Sequence, residues 1–242
     1  MSDPTCLKLS CDRKTRFYNS QKNALGLLPG PKGTCTGATT GPGGCWCKEG
    51  RKKLHTCYVD KCVTLRPAVK NILSNNTKLL KNANFNEKIN LLNDTVDELQ
   101  SQNTRAKKSI NTNYYRFHWS GDIFNDEYAQ AIKVTIEQHP NMIFWMYTRV
   151  FSAVKYLTGL ENLLLFLSID KQNIKTGVDT YYQYKEDTKL CYMAPEMDID
   201  VPSVKFVHCP TDSGEMDFDG ACSRCRQCIS LGKQKHVYFK TT

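Results

Sequence analysis

From residue 114 onward, short apolar runs alternate with amphipathic stretches, and this rhythm restricts the fold more than any other feature of the sequence. Strands are predicted over residues 114–119, 142–147, 163–169 and 204–207, and helices over 126–139 and 152–157. Strands that alternate with helices in this way form parallel sheets, because each crossover returns the chain to the same edge. We therefore expect an α/β fold whose parallel sheet is either doubly wound or a partial (βα) barrel.

The region 67–108 has helical periodicity instead. Apolar residues recur there at spacings of three and four, at Ile89, Leu92, Val96 and Leu99. Pro67 suits the first turn of a preceding helix, and an Asn-rich link at 82–86 separates the two helices. We expect a helical insert ahead of the α/β core.

The C-terminal cysteines have the most specific spacing in the chain. Twelve residues separate Cys209 from Cys222, and two-residue gaps then lead to Cys225 and Cys228. Such gaps let successive thiolates wrap one centre, as in ferredoxin-type ligation, while a remote fourth cysteine completes it. Four thiolates satisfy a [4Fe–4S] cluster or a zinc ion, but zinc sites usually contain two separate Cys-x-x-Cys pairs. The spacing favours iron–sulfur, with zinc and disulfide bonds as the alternatives.

A second group of cysteines lies in the Gly- and Pro-interrupted segment 35–62. Its candidate metal ligands are Cys35, Cys45, Cys47, Cys57 and Cys62. Five candidates for three or four positions leave the ligand set open. Three thiolates would leave one iron open to substrate, whereas four would close the cluster. Because glycine and proline prevent long regular elements here, we expect a metal centre to order this segment.

The remaining cysteines do not share these spacings. Cys6, Cys11 and Cys191 are predicted to be small buried side chains, with a role for Cys6 and Cys11 in a metal site as the alternative. The sequence has no run of 18 apolar residues that could span a membrane, and residues 1–15 lack the apolar core of a secretory signal. We expect a reducing cytoplasmic location, where clustered cysteines bind metal more often than they form disulfides.

The positive charge is concentrated at the N-terminus. Residues 1–66 contain 12 Lys and Arg against 4 Asp and Glu, within a net charge of +9 for the whole chain. This favours either contact with nucleic acid or a host protein, or a basic face that offsets a thiolate centre. A base-reading motif, a Walker loop and a dinucleotide fingerprint are all absent from the sequence. The composition divides the chain into a basic segment 1–66, a helical insert and α/β core 67–208, and a cysteine segment 209–242, which we expect to form one compact domain.

Polar residues follow the predicted strands, and in parallel sheets ligands bind at these carboxyl ends. The candidates for catalysis are Asp122, Arg149 and Asp170, since they could supply polar groups beside a cluster-bound substrate. The planar guanidinium of Arg149 suits a carboxylate or phosphate. His118 is predicted to lie in the core or line a pocket, and His208 to be a polar neighbour of Cys209.

In this order, these motifs resemble the phage gene-product-88 family, whose architecture is similar to a reduced radical S-adenosylmethionine (radical-SAM) barrel. The similar segments are 27–30, 34–39, 57–58, 116–122 with Tyr128, 147–149, 167–170 and 209–228. The resemblance implies a viral iron–sulfur protein with redox or radical chemistry at the carboxyl face of the sheet. Its partner would be a small molecule or a redox protein.

The resemblance also implies roles for particular residues. Cys35, one of Cys45 and Cys47, and Cys57 would hold an open-site [4Fe–4S] cluster, and the C-terminal four would hold an auxiliary cluster. Ser120, Gly121 and Asp122 would stand where radical-SAM enzymes use Gly-Gly-Glu to bind the amino group of S-adenosylmethionine. The Cys-x3-Cys-x2-Cys motif and a literal Gly-Gly-Glu are absent from the sequence. Their absence argues against S-adenosylmethionine cleavage and does not affect the expectation of cluster binding.

Overall fold

The structure is a computed structural model that describes residues 5–46, 57–106 and 113–240, apart from the side chains at positions 58, 60 and 61. Its strands are β1 (Ala24–Gly26), β2 (Tyr114–Ser120), β3 (Ile143–Thr148), β4 (Leu163–Ile169), β5 (Thr188–Ala194), β6 (Phe206–His208) and β7 (His236–Lys240). Its helices are α1 (Tyr58–Leu65), α2 (Pro67–Asn82), α3 (Phe85–Arg105), α4 (Asp126–Gln138), a 3-10 helix (Phe151–Tyr156), α5 (Ile174–Gln183) and α6 (Ala221–Cys225).

These strands form one parallel sheet in the order β1-β2-β3-β4-β5-β7-β6, which confirms the expected parallel α/β class. From β1 to β5 the spatial order follows the chain order. Since crossovers between parallel strands are right-handed, strands that always advance in one direction place their connecting helices on the same face of the sheet.

The two faces of the sheet have different roles. Successive side chains of a strand point to opposite faces, so each strand contributes to both. On one face, Phe117, Phe144 and Leu165 belong to a core that includes residues of α3, α4 and α5. On the other, Trp145 and Phe166 belong to a second apolar cluster that includes cysteines of the C-terminal segment. The cysteine segments thus cover the face that the helices leave open.

The helical insert forms as the sequence predicts. Helix α2 begins with Pro67, whose missing N–H is not needed in the first turn. Helix α3 begins with a capping box in which the Asn84 side chain accepts from the Glu87 backbone N–H at 3.0 Å, and the Glu87 carboxylate accepts from the Asn84 N–H at 2.7 Å. The apolar stripe around Leu92 is buried beneath it.

Most predicted elements are present with shifted ends, and several short ones were missed. The predicted helix 152–157 is a 3-10 helix one residue earlier, and the predicted strand 204–207 begins at Phe206. The prediction omitted α1, α5, α6, β1, β5 and β7. Three-residue β1 and five-residue β7 are too short to show a period, and β5 begins with two polar residues. In the described ranges, no helix combines the length and the apolar character needed to cross a membrane.

Candidate functional site

The sheet face opposite α4 and α5 borders a cavity of about 1530 Å³. This exceeds the roughly 300–1,000 Å³ typical of small-molecule sites. Its wall contains thiols of both predicted groups, namely Cys35, Cys45, Cys57, Cys62, Cys209, Cys222, Cys225 and Cys228. The fold therefore brings cysteines from the two ends of the chain to one cavity.

The C-terminal thiol group comprises Cys209, Cys222, Cys225 and Cys228, all four predicted as metal ligands. Burial raises the pKa of the Cys228 thiol to about 12, and the charges of Cys209 and Cys225 act in the same direction. A hydrogen bond from the Tyr147 hydroxyl acts in the opposite direction and lowers this pKa. Burial also raises the pKa of Cys222, and the negative charge of the Cys228 thiolate raises it further. The four thiols are thus close enough to interact electrostatically.

Backbone hydrogen bonds hold this group in place. The N–H of Cys209 donates to the carbonyl of Tyr238 in β7 at 3.0 Å, and the N–H of Cys222 donates to the carbonyl of Lys14 at 2.8 Å. The short helix α6 carries Cys222 and Cys225 three residues apart, which places them on one side of a helical turn. The predicted spacing therefore produces a local thiol array anchored to the sheet and to the N-terminal segment.

Lys14 contacts this group although no sequence pattern predicts it, since 195 positions separate it from Cys209. Its Nζ lies 3.4 Å from the Cys209 Sγ and 3.5 Å from an oxygen of Asp212. Burial lowers the pKa of Lys14, but the charges of Cys209 and Asp212 outweigh this and raise it above its ordinary value. The lysine therefore stays charged beside the thiols.

The N-terminal thiol group comprises Cys35, Cys45, Cys57 and Cys62. Burial raises the pKa of Cys35 well above its usual range, and the charges of Asp122, Cys57 and Cys45 act in the same direction. Cys35, Cys45 and Cys57 line the same cavity, and the resemblance implied Cys35, Cys57 and one of Cys45 and Cys47 as ligands. Cys62 lies in α1 on the same cavity wall. Cys47, the remaining candidate, lies outside the described residues.

Asp170 holds the loop that carries Cys45. One of its oxygens accepts from the Thr39 hydroxyl at 2.6 Å, from the Cys45 N–H at 3.1 Å and from the Arg149 guanidinium at 2.5 Å. Burial lowers the pKa of Arg149, but the charges of Cys45 and Asp170 raise it above its ordinary value. Two of the three predicted catalytic residues therefore pair with each other and position a cysteine loop. The sequence could not reveal this role, since the partners are far apart in the chain.

Asp122, the third catalytic candidate, joins neighbouring strand ends. Its carboxylate accepts from the Thr148 hydroxyl at 2.7 Å and from the Arg149 N–H at 2.8 Å. Burial raises its pKa to about 6, although these hydrogen bonds oppose the shift. Beside it, the Ser120 hydroxyl donates to the Leu27 carbonyl at 2.7 Å.

Gly121 lies between these two residues at a point that excludes a side chain. Its φ is +80°, and a Cβ there would lie 2.5 Å from the Thr34 hydroxyl oxygen. Segment 120–122 thus borders the cavity and also fastens the loop before Cys35 to the end of β2.

The two histidines differ from one another. His118 is buried and lines the cavity, as predicted, and its Nε2 lies 2.9 Å from the Tyr128 hydroxyl. In the part of the chain that the structure describes, its Nδ1 has no hydrogen-bond partner. Burial lowers the pKa of His118 to about 3, so the ring is neutral. His208 is exposed and packs beside Tyr238.

The prediction for the remaining cysteines was wrong in two of three cases. Cys6 and Cys11 are exposed, because Leu7 and Leu9 supply the buried side chains of that segment. Cys191 is buried as predicted, but it faces the cavity rather than the helical core. Burial raises its pKa well above the usual range, and Cys228 acts in the same direction.

The donor geometry bears on which metal the thiols fit. Across residues 5–46, 57–106 and 113–240, no three His, Cys, Asp or Glu side chains converge closely enough to hold a single metal ion. A zinc ion needs four ligands at about 2.0–2.3 Å from one point. A polynuclear cluster takes thiolates on separate irons and accepts a wider arrangement around a larger space. In the described residues the thiols therefore do not form a single-ion site of the zinc type.

Comparisons with known proteins agree on one family. The family model described as Gene product 88 matches residues 8–236. The Gene 88 protein of Mycobacterium phage L5 is 30% identical over 255 aligned residues, and that of Mycobacterium phage D29 is 30% identical over 261. In each case 98% of both chains is covered. No solved structure matches the chain.

Proposed function

The chain belongs to the gene product 88 family of phage proteins, and from this premise we propose that it is an iron–sulfur protein. The observation that carries the proposal is the convergence of two thiol groups on one cavity. Cys209, Cys222, Cys225 and Cys228 would hold a closed [4Fe–4S] cluster. Cys35, Cys45 and Cys57 would hold a second cluster with one open iron.

The strand order supports a partial barrel similar to that of radical-SAM enzymes. Strands β1 to β5 are neighbours in chain order, and α4 and α5 pack on one face. The cavity lies at the opposite face and reaches the carboxyl ends of β2, β3 and β4, where Asp122, Arg149 and Ser168 line it. Parallel barrels bind their ligands at this end.

When bound, such clusters supply one-electron transfer. The protein would contribute thiolate ligands, a hydroxyl from Tyr147 to the Cys228 sulfur, and apolar walls from Trp145 and Phe239 that restrict water. Outer hydrogen bonds and a dry shell of this kind adjust the chemistry of a metal centre. We therefore propose redox chemistry at the cavity.

We do not assign the amino group of S-adenosylmethionine to segment 120–122. The Ser120 hydroxyl and both Asp122 oxygens already have partners within the protein. Incubation with dithionite and S-adenosylmethionine tests this point, and we expect no 5′-deoxyadenosine. Its release would show that these groups rearrange to bind the cofactor.

Anaerobic purification with an ultraviolet–visible spectrum and iron and sulfide counts tests the proposal directly. We expect a brown protein that loses part of its iron when Cys222 and Cys225 are both changed to Ser. The comparison variant changes Cys6 and Cys11, exposed thiols that also line the cavity, to Ser and should retain all iron, since neither belongs to the two proposed ligand sets. A colourless protein with stoichiometric zinc, or unchanged iron in the first variant, would contradict the proposal.

The alternative function is contact with nucleic acid or a host protein through the basic segment 1–66. Part of that charge is used within the protein, because Lys14 contacts Cys209, and the Arg16 guanidinium lies 2.6 Å from an Asp219 oxygen. This favours charge compensation of the thiols over an external partner. DNA binding that weakens steeply with salt would reverse that preference.

A further inference from the structure

We propose that Arg149 and Ser168 form a binding site for the carbonyl oxygen of an apolar or aromatic small molecule. The site lies on the cavity wall, where a nitrogen of the Arg149 guanidinium and the Ser168 hydroxyl both approach the sulfur of Met193. The inference is separate from the iron–sulfur proposal, because it requires no metal at the thiols.

Two buried donors converge on one weak acceptor. The Arg149 Nη2 lies 3.5 Å from the Met193 Sδ, and the Ser168 Oγ lies 3.6 Å from the same sulfur. The Arg149 side chain is 9% exposed and Ser168 is 7% exposed. Among the residues that the structure describes, neither this Nη2 nor this hydroxyl donates to an oxygen or a nitrogen. Since a thioether accepts hydrogen bonds only weakly, both donors can bind a better acceptor.

Three adjacent parallel strands position these groups. Arg149 directly follows β3, whereas Ser168 and Met193 lie near the carboxyl ends of β4 and β5. The guanidinium is held in place, because its Nη1 donates to Asp170 at 2.5 Å and the Arg149 N–H donates to Asp122 at 2.8 Å. A donor that is already fixed loses little conformational entropy when a ligand binds. The carboxyl ends of parallel strands are also where such folds bind their ligands.

The convergence of both donors on a single atom identifies the ligand group. A carbonyl oxygen has two lone pairs, so it accepts from the Arg149 Nη2 and from the Ser168 hydroxyl at once. The charge of Arg149 is already paired with the buried Asp170, so the ligand need not bring a charge of its own. A neutral carbonyl oxygen in the position of the Met193 sulfur therefore satisfies both donors.

The surroundings of the two donors indicate the rest of the ligand. Phe239 pairs with Met193 between β7 and β5, and its ring centre lies 6.0 Å from that of Tyr147. Both rings line the cavity. Met193 is half-buried, and an unbranched methionine side chain adapts readily to a new neighbour. Apolar walls with a few fixed polar groups are typical of small-molecule sites, so the carbonyl belongs to a molecule with an apolar or aromatic body.

Three matched probes test the ligand class on the full chain as purified, by fluorine nuclear magnetic resonance titration. The probe para-fluoroacetophenone carries the carbonyl, para-fluorotoluene lacks it, and para-fluorobenzoate replaces it with a carboxylate. We expect the ketone to bind most tightly of the three. Equal binding of the toluene would show that the apolar walls act alone, and tighter binding of the benzoate would show an anion site. Either result would overturn the proposal, as would no ketone binding up to its solubility limit.

The position of the site is tested by Ser168→Ala, which removes one donor and leaves the pair of Arg149 and Asp170 intact. We expect it to weaken ketone binding about fivefold, the effect of one hydrogen bond, and to leave toluene binding unchanged. The matched control is Ser152→Ala, at an exposed position of the 3-10 helix. Met193→Leu removes the competing sulfur and should retain or increase ketone affinity. Equal ketone affinity in Ser168→Ala and wild type would refute the site. Iron counts on the same samples test the iron–sulfur proposal independently.

Discussion

The two thiol groups face the same cavity but are held in different ways. The C-terminal group is anchored by backbone hydrogen bonds, from the Cys209 N–H to Tyr238 and from the Cys222 N–H to Lys14. In the N-terminal group, the Cys35 N–H donates to the Gly30 carbonyl at 3.2 Å, but the loop that carries Cys45 depends on side chains, because the Cys45 N–H donates to the Asp170 carboxylate and the Thr39 hydroxyl. Main-chain hydrogen bonds position the C-terminal group, whereas the buried carboxylate of Asp170 attaches the Cys45 loop to the sheet.

This difference indicates where each group is vulnerable. Backbone anchors persist when one side chain is replaced, so the C-terminal group should tolerate single substitutions around it. A carboxylate that receives four donors has no substitute, so the loop that carries Cys45 should depend on Asp170. Changes at each group should therefore have unequal effects.

The largest effect is expected for Asp170→Asn. The change leaves the buried Arg149 guanidinium without its charge partner, which costs about 3–5 kcal/mol for a buried pair. We expect a loss of that size in the free energy of unfolding, measured with urea. In the metal-free protein, alkylation mapped by mass spectrometry should become faster at Cys45 and stay unchanged at Cys228.

The matched control is Asp179→Asn, since Asp179 pairs with Lys175 on an exposed helix face where ion pairs contribute little. Equal acceleration of alkylation at Cys45 and Cys228 would show that the two groups unfold together. The contrast between them would then be wrong.

The same contrast explains how much could be predicted from the sequence. The spacing of Cys222, Cys225 and Cys228 is local and survives folding as a single turn and its flank, so it could be identified directly. The apolar runs that form β2, β3 and β4 are six or seven residues long, which is enough to identify them as buried strands. They are buried on both faces or nearly so, and this fixed the parallel class.

The rest depends on contacts between distant residues. Asp170 and Cys45 are 125 positions apart, and Lys14 and Cys209 are 195 apart. Neither pair produces a local pattern. The sequence placed Asp170 correctly at a strand end, but a polar residue there serves equally as a catalytic group or as an anchor. The position of Cys191 on the cavity wall was missed because a lone cysteine has no spacing to interpret.

A smaller effect is expected from the protonation of Asp122, which belongs to the N-terminal side of the comparison. Its pKa is about 6 in the folded protein, whereas the ordinary value for an aspartate is 3.8. The folded state therefore binds the proton more tightly, and stability falls as the pH rises from about 4 to 6. Two pKa units correspond to about 3 kcal/mol as an upper value.

Asp122→Asn should remove that dependence. In the metal-free protein, the variant should gain stability relative to wild type as the pH rises from 4 to 7, measured by urea unfolding at each pH. Asp97→Asn, on the exposed side of α3, is the matched control. A constant difference between wild type and Asp122→Asn across this range would show that the carboxylate is already ionised at pH 4.

The smallest effect is expected for Tyr147→Phe, which removes the hydroxyl bonded to Cys228 and leaves the backbone anchors intact. One hydrogen bond contributes about 1 kcal/mol, so the free energy of unfolding of the metal-free protein should fall by about that amount. The control is Tyr156→Phe, whose hydroxyl bonds Asp126 at an exposed position at 2.8 Å. Alkylation of Cys222 and Cys225 should be unchanged, because neither depends on that hydroxyl. A loss as large as that of Asp170→Asn, with all C-terminal thiols exposed, would mean that this group also depends on a single side chain.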